Sequence, residues 1–294
     1  MKANREFLID DLEFWAIIKL ISQKLGYSKE GIIIVPTMAK IIESFDNLQL
    51  FTNKLFFKNE PTDLGNKVLA YFTYRADILN NEVQYQFMPM EEAKELYEAL
   101  LKDFTGKYKN IWKVPINKQA KEKKNPAYLT GCVNMLIQSS LKDNYSCKYD
   151  AKEISSFTSN KFPVRSLSRR VDGSFPGVIN PIALWEVKEY YYTTSFGSRI
   201  ADGIYETMLD GYELKEVRKV INRPVFHYLF IDAKYTWWTM GKSYLCRIVD
   251  LVHMGLLTEC IVGKQVIDRV PIIVEEWKKE YDKLFPVLYD TSEK

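Results

Sequence analysis

Between Arg169 and Tyr192 the sequence runs RRVDGSFPGVINPIALWEVKEYYY: an acid, a turn-forming stretch, then an apolar run with charge in its middle. Phe175, Pro176, Gly177, Asn180 and Pro181 interrupt regular structure, and residues 182–191 read as a strand. Side chains alternate between faces in a strand, so Glu186 and Lys188 point the same way while Val187 points oppositely. Charges set within an apolar run need a partner or a metal, because unpaired burial is costly. If 169–175 and 182–191 pair as neighbouring strands, Asp172 approaches Glu186, giving two carboxylates and one ammonium in a single cluster. Such a cluster can hold a divalent metal and position a water for attack on a phosphodiester.

The Glu-x-Lys triplet alone is a weak signal, since it recurs at Glu92, Glu122, Glu213 and Glu276. Those four stand in polar or helical surroundings, where a solvated ion pair is the simpler reading. A rival stands at Asp232-Ala233-Lys234, which ends the apolar run 225–232. Its upstream acids, Asp202, Glu206 and Asp210, fall on a predicted helix, so Asp232 reads as a cap on the strand's exit. With Arg199, these three acids read as a polar helix face with ion pairs, the alternative being a subunit interface or groove contact.

The spacing Asp172, thirteen residues, Glu186-Val187-Lys188 resembles the PD-(D/E)XK nucleases, type II restriction endonucleases above all, with Val171 standing where the name-giving proline would be. The resemblance covers roughly residues 127–235. It implies an α/β (α+β) fold: a restriction-endonuclease-like core of a mixed central sheet flanked by helices. It also implies a site-specific deoxyribonuclease using Mg²⁺. Asp172 and Glu186 would ligate the ion with the Val187 carbonyl, Lys188 would orient or polarise the water, and the products would carry 5′-phosphate and 3′-hydroxyl ends. A fourth ligand would come from an upstream helix or from Glu153.

Charge supports an anionic partner. The net charge of +3 is modest but uneven. Residues 101–125 carry eight lysines, at 102, 107, 109, 113, 118, 121, 123 and 124, against Asp103 and Glu122. Lys161, Arg165, Arg169 and Arg170 then run into Asp172 without an intervening acid. Lys121, Lys123 and Lys124 with these four are the candidate DNA contacts, drawing a polyanion toward carboxylates that would repel it. The bland reading of a lysine run is a solvated face or loop.

The four cysteines, Cys132, Cys147, Cys246 and Cys260, include no Cys-x-x-Cys pair, and His227 and His253 are the only histidines. This argues against a structural zinc site and a histidine-based nuclease centre, and leaves carboxylates as the natural ligands. No apolar run reaches a membrane span, and the first residues lead into an amphipathic helix rather than a signal peptide. The expectation is a cytoplasmic protein without an organic cofactor.

Apolar periodicity predicts helices over 5–25, 37–45, 90–103, 127–141, 198–220, 242–254 and 273–284, with strands at 225–232 and 259–262. Residues 64–79 fit helix or strand. The helix at 198–220 is expected to bury Ile200, Ile204, Leu209, Leu214 and Val217. Strand, strand, helix, strand is the order expected for the core of the resembled family. The division that follows is a mainly helical region 1–105, a basic linker or loop 106–126, and a nuclease core 127–294. Tyr190, Tyr191, Tyr192 and the patch Tyr235, Trp237, Trp238, Met240 fit core packing or contact with DNA or a partner. The leading function is a double-strand endonuclease of a restriction–modification system, acting on double-stranded DNA as a homodimer. A repair or recombination nuclease of the same fold, a DNA-binding protein without hydrolysis, and an RNA-directed factor are the alternatives.

Overall fold

Short polar side chains open the first three helices. Asp11 accepts from the Glu13 amide at 2.8 Å to start α1 (Leu12–Leu25), and Thr37 caps α2 (Met38–Asp46). Thr62 accepts from the Gly65 amide at 3.1 Å to start α3 (Asp63–Asn81). Each satisfies a donor that the first helical turn leaves unpaired. The computed structural model describes residues 1–9, 11–58, 60–107, 115–116, 125–141, 145–192 and 197–286. Within them, two-residue strands β1 (Ser28–Lys29) and β2 (Ile32–Ile33) form one hairpin, and β3 (Phe56–Phe57) and β4 (Glu60–Pro61) form another. Then follow α4 (Met90–Lys107), α5 (Tyr128–Leu141), β5 (Lys148–Tyr149), β6 (Ser156–Ser159), β7 (Phe162–Ser166), β8 (Gly173–Phe175) and β9 (Ala183–Glu189). The chain continues through α6 (Ser198–Ile221), β10 (Phe226–Asp232), α7 (Lys242–His253), β11 (Glu259–Val262) and α8 (Val266–Leu284).

The class is mixed α/β. A five-stranded sheet has the order β11-β10-β9-β8-β5, with β11, β10 and β9 parallel and β8 antiparallel to both β9 and β5. The parallel pairs are joined through α6 and α7, because parallel strands need a crossover. Alternation along the strands sends two sets of side chains to two cores. Leu229, Ile231, Cys260 and Val262 meet α6, α7 and the N-terminal helices, with Trp15, Phe14, Tyr71 and Phe72 in the same cluster. Trp185, Val187, Tyr228, Phe230 and Ile261 meet α5 and α8 on the other face, where Trp185 stacks on Trp277 at 5.4 Å. The N-terminal helices thus share a core with the sheet. α4 packs on α5 through Tyr97, Phe104, Cys132 and Met135.

Several elements differ from the sequence reading. The first helix begins at Leu12 rather than residue 5, and Arg5–Phe7 is a single 3₁₀ turn. Residues 63–81 are helical. The last helix starts at Val266, two turns early, with Pro271 inside it. On α6 the buried stripe runs through Ile200, Ile204, Asp210, Leu214 and Val217, and Leu209 is exposed. A β6–β7 hairpin precedes the site, and one turn of π-helix spans Tyr235–Met240. Among the described residues no helix is long and apolar enough to cross a membrane.

Candidate active site

The antiparallel register of β8 on β9, Gly173 opposite Trp185, sets Asp172 beside Glu186. Gly173 makes that approach possible: a Cβ there would lie 2.0 Å from the Trp185 ring, so only glycine lets the indole cover the strand. The Val187 amide donates to Asp172 Oδ2 at 2.9 Å, and the Asp172 amide donates to Glu186 Oε1 at 3.2 Å. Lys188 Nζ lies 2.8 Å from Glu186 Oε2. Asp172, Glu186 and Lys188 therefore converge on the sheet face that α6 covers.

Helix α6 brings in two acids, Glu206 and Asp210, whose helical spacing in the sequence reads as a polar face with ion pairs. Gly203 allows the close pass, since a Cβ there would stand 3.4 Å from Lys188 Cδ and 3.2 Å from the Tyr190 hydroxyl. One turn on, Glu206 Oε2 meets Lys188 Nζ at 2.9 Å, and Asp210 lies wholly buried one turn further. Their sequence signal was the spacing: Asp210 falls in register with the apolar stripe from Ile200 to Val217, which faces the sheet.

Arg169 occupies the middle of this group. Its Nη1 lies 3.0 Å from Glu186 Oε1 and 2.7 Å from Asp210 Oδ2, and its Nη2 lies 3.3 Å from Glu206 Oε2. Three carboxylates, Glu186, Glu206 and Asp210, thus share two cations, with the Asp172 carboxylate beside them on the Val187 amide. Burial alone would push the Glu186 carboxyl up, but Lys188 and Arg169 outweigh it and hold it below the ordinary carboxylate range. Burial pushes Asp210 up to about 7 against the pull of Arg169, with the charge of Glu186 adding to the rise. Burial would lower Lys188, yet Glu186 and Asp172 raise it, so it stays an ammonium. Asp210 Oδ1 is buried without a donor among the described residues.

The other candidates fall elsewhere. Lys161 and Arg170 are exposed, whereas Arg165 pairs with Glu213 at 3.1 Å and with Glu216 at 3.1 Å. Lys121, Lys123 and Lys124 lie outside the described residues. Glu153 is exposed. Asp232 does cap the end of β10, accepting from the Met88 and Ala233 amides at 2.9 and 2.8 Å and from the Tyr191 hydroxyl. The tyrosines pack: Tyr190 lies against Trp237 at 5.7 Å, and the Tyr192 hydroxyl reaches the Pro126 carbonyl. Trp237 is buried and donates to the Lys188 carbonyl at 3.3 Å, pinning the exit of β9, while Tyr235 and Met240 are exposed. Both histidines are buried and bond backbone carbonyls, and the four cysteines are free thiols. Among the described residues no group of three or more His, Cys, Asp or Glu side chains stands ready to hold a metal ion.

No curated protein and no solved structure matches the chain. Residues 1–82 match the model of a domain of unknown function, DUF7690. A second, DUF7687, also a domain of unknown function, matches residues 88–277, more than half of the sequence and the whole of the site, and the chain belongs to that family.

Proposed function

We propose that the chain is a Mg²⁺-dependent endonuclease of the type II restriction class, hydrolysing phosphodiester bonds of double-stranded DNA. The observation that carries the reading is the convergence of Asp172, Glu186 and Lys188 from two adjoining strands. The order strand, strand, helix, strand over β8, β9, α6 and β10 supports a restriction-endonuclease-like core.

The donor chemistry fits a hard cation. All side-chain donors are oxygens, the ligands Mg²⁺ takes, and four carboxylates against two cations leave surplus negative charge. Asp172 and Glu186, with the Val187 carbonyl, would hold the ion. When bound, the ion supplies a water of lowered pKa and offsets charge on the phosphoryl oxygens.

The chain's own residues have separate tasks. The Val187 amide fixes the Asp172 carboxylate, so this ligand is oriented by backbone rather than by a mobile side chain. Lys188, kept protonated by its acids, orients the attacking water and stabilises developing negative charge instead of accepting a proton. Lys161 and Arg170, exposed on the segment leading into the site, contact the DNA backbone. Cutting both strands calls for two centres related by the local dyad of DNA, hence a homodimer. The reading places the protein in the cytoplasm, where its substrate is.

Plasmid cleavage by Asp172→Ala and Lys188→Ala tests this. Loss of cutting with DNA binding retained supports the reading; undiminished cutting in both variants removes the site. A second reading, a DNA-binding protein without hydrolysis, is favoured by the ion pairs of Glu186, whose two oxygens are both already engaged by Arg169 and Lys188.

A further inference from the structure

Arg169 is out of place for a simple DNA contact. It stands on the basic run before Asp172, yet it turns inward, with only 23 % of its side chain exposed. One nitrogen, Nη1, touches both Glu186 Oε1 at 3.0 Å and Asp210 Oδ2 at 2.7 Å, and so bridges the two carboxylates. A guanidinium nitrogen thus stands between two carboxylates, the position a shared cation would take. A second observation points the same way: the other oxygen of Asp210, on a side chain with no solvent exposure, is buried without a donor among the described residues. A carboxylate supplied with too few donors, beside Glu186, is what a site built for a further positive charge looks like.

We propose that Arg169 is a placeholder for a divalent cation bound between Glu186 and Asp210, and that it withdraws toward solvent when the cation binds. This rests on the reading of Asp172, Glu186 and Lys188 as a metal-dependent centre, and it adds Asp210 and the role of Arg169. Replacing a guanidinium by a divalent ion raises the local charge by one, which suits the surplus of acid. A freed Arg169 reaches the rim beside exposed Arg170, where the fork of a guanidinium suits a phosphate. Bare metal is then bound weakly, because Arg169 competes for the same oxygens. DNA phosphate strengthens binding by giving Arg169 another partner, a coupling that is reciprocal.

Calorimetric titration of the full chain with MnCl₂, without DNA, tests the proposal. Arg169→Gln is expected to bind at least tenfold more tightly than wild type, and Arg169→Gln/Asp210→Asn to lose that gain. Circular dichroism confirms the fold of each variant. Should Arg169→Gln fail to fold, Asp210→Asn, which keeps the Arg169–Glu186 pair, serves alone: it is expected to weaken wild-type Mn²⁺ binding at least tenfold. Affinity unchanged in Arg169→Gln, or unchanged in Asp210→Asn, overturns the proposal. If wild type then still binds Mn²⁺ and Glu186→Gln abolishes it, the nuclease reading survives and only the placeholder falls. If wild type and Arg169→Gln both fail to bind Mn²⁺, both fall together.

Discussion

Gly173→Ala perturbs the register that builds the site. The added Cβ would meet Trp185 Cε2 and Cζ2 at 2.0 Å, about 1.5 Å inside ordinary carbon contact. The indole has no room to retreat: it is fully buried, stacked on Trp277 at 5.4 Å and flanked by Tyr149 at 6.0 Å. Overpacking of this kind costs about 1–3 kcal/mol, and for a chain of this size each kcal/mol lowers Tm by roughly 2–4 °C. The expected loss is therefore about 2–12 °C in a thermal melt followed by circular dichroism. Gly177→Ala is the control, because a Cβ there meets nothing within 4 Å. Trp185→Leu in the Gly173→Ala background should recover part of the loss, since the two positions couple. A Gly173→Ala protein that melts with wild type, with unchanged tryptophan fluorescence, would refute the packing argument and with it the placement of Asp172 against Glu186.

Asp250→Asn should destabilise by about 3–5 kcal/mol in urea unfolding, because it leaves the buried Arg75 guanidinium, 3.1 Å away, without its counter-charge. The double change Arg75→Leu/Asp250→Leu should cost less than the single one. His227 is fully buried, donates through Nδ1 to the Leu256 carbonyl at 2.9 Å, and is held down to about 4 by burial. The unfolded chain therefore binds this proton first as pH falls. The stabilisation is complete above the ordinary value near 6.5 and is lost as pH drops toward about 4. It amounts to about 2 kcal/mol between pH 6.5 and 4.5, and His227→Gln should flatten that part of the profile. Lys161→Ala and Arg170→Ala should each weaken DNA binding regardless of sequence and reduce the salt slope by about one; unchanged slopes would remove both from the DNA interface.

The strand pair was legible because period-two alternation places Glu186 and Lys188 on one face and an acid stands upstream across a turn. What alternation cannot give is register, which rests here on the missing side chain of Gly173 beneath Trp185. The roles of Glu206 and Asp210 were hidden for a related reason. Charged residues at helical spacing ordinarily face water, and the sheet-facing stripe of α6 looked apolar only if Leu209 was counted in place of Asp210. In the sequence Arg169 is one of the candidate DNA contacts, because sequence shows charge but not the direction a side chain turns. The β6–β7 hairpin and the short N-terminal strands carry little periodic signal, since two to five residues are too few to distinguish a pattern.

The DNA hydrolysis proposed for Asp172, Glu186 and Lys188 is the property to measure. The assay is plasmid DNA incubated with the full chain and MgCl₂, with Glu186→Gln purified in parallel. Discrete fragments from wild type, abolished by EDTA and absent with Glu186→Gln, are the predicted result. Intact plasmid with folded, DNA-binding wild type, or equal cutting by Glu186→Gln, would contradict it.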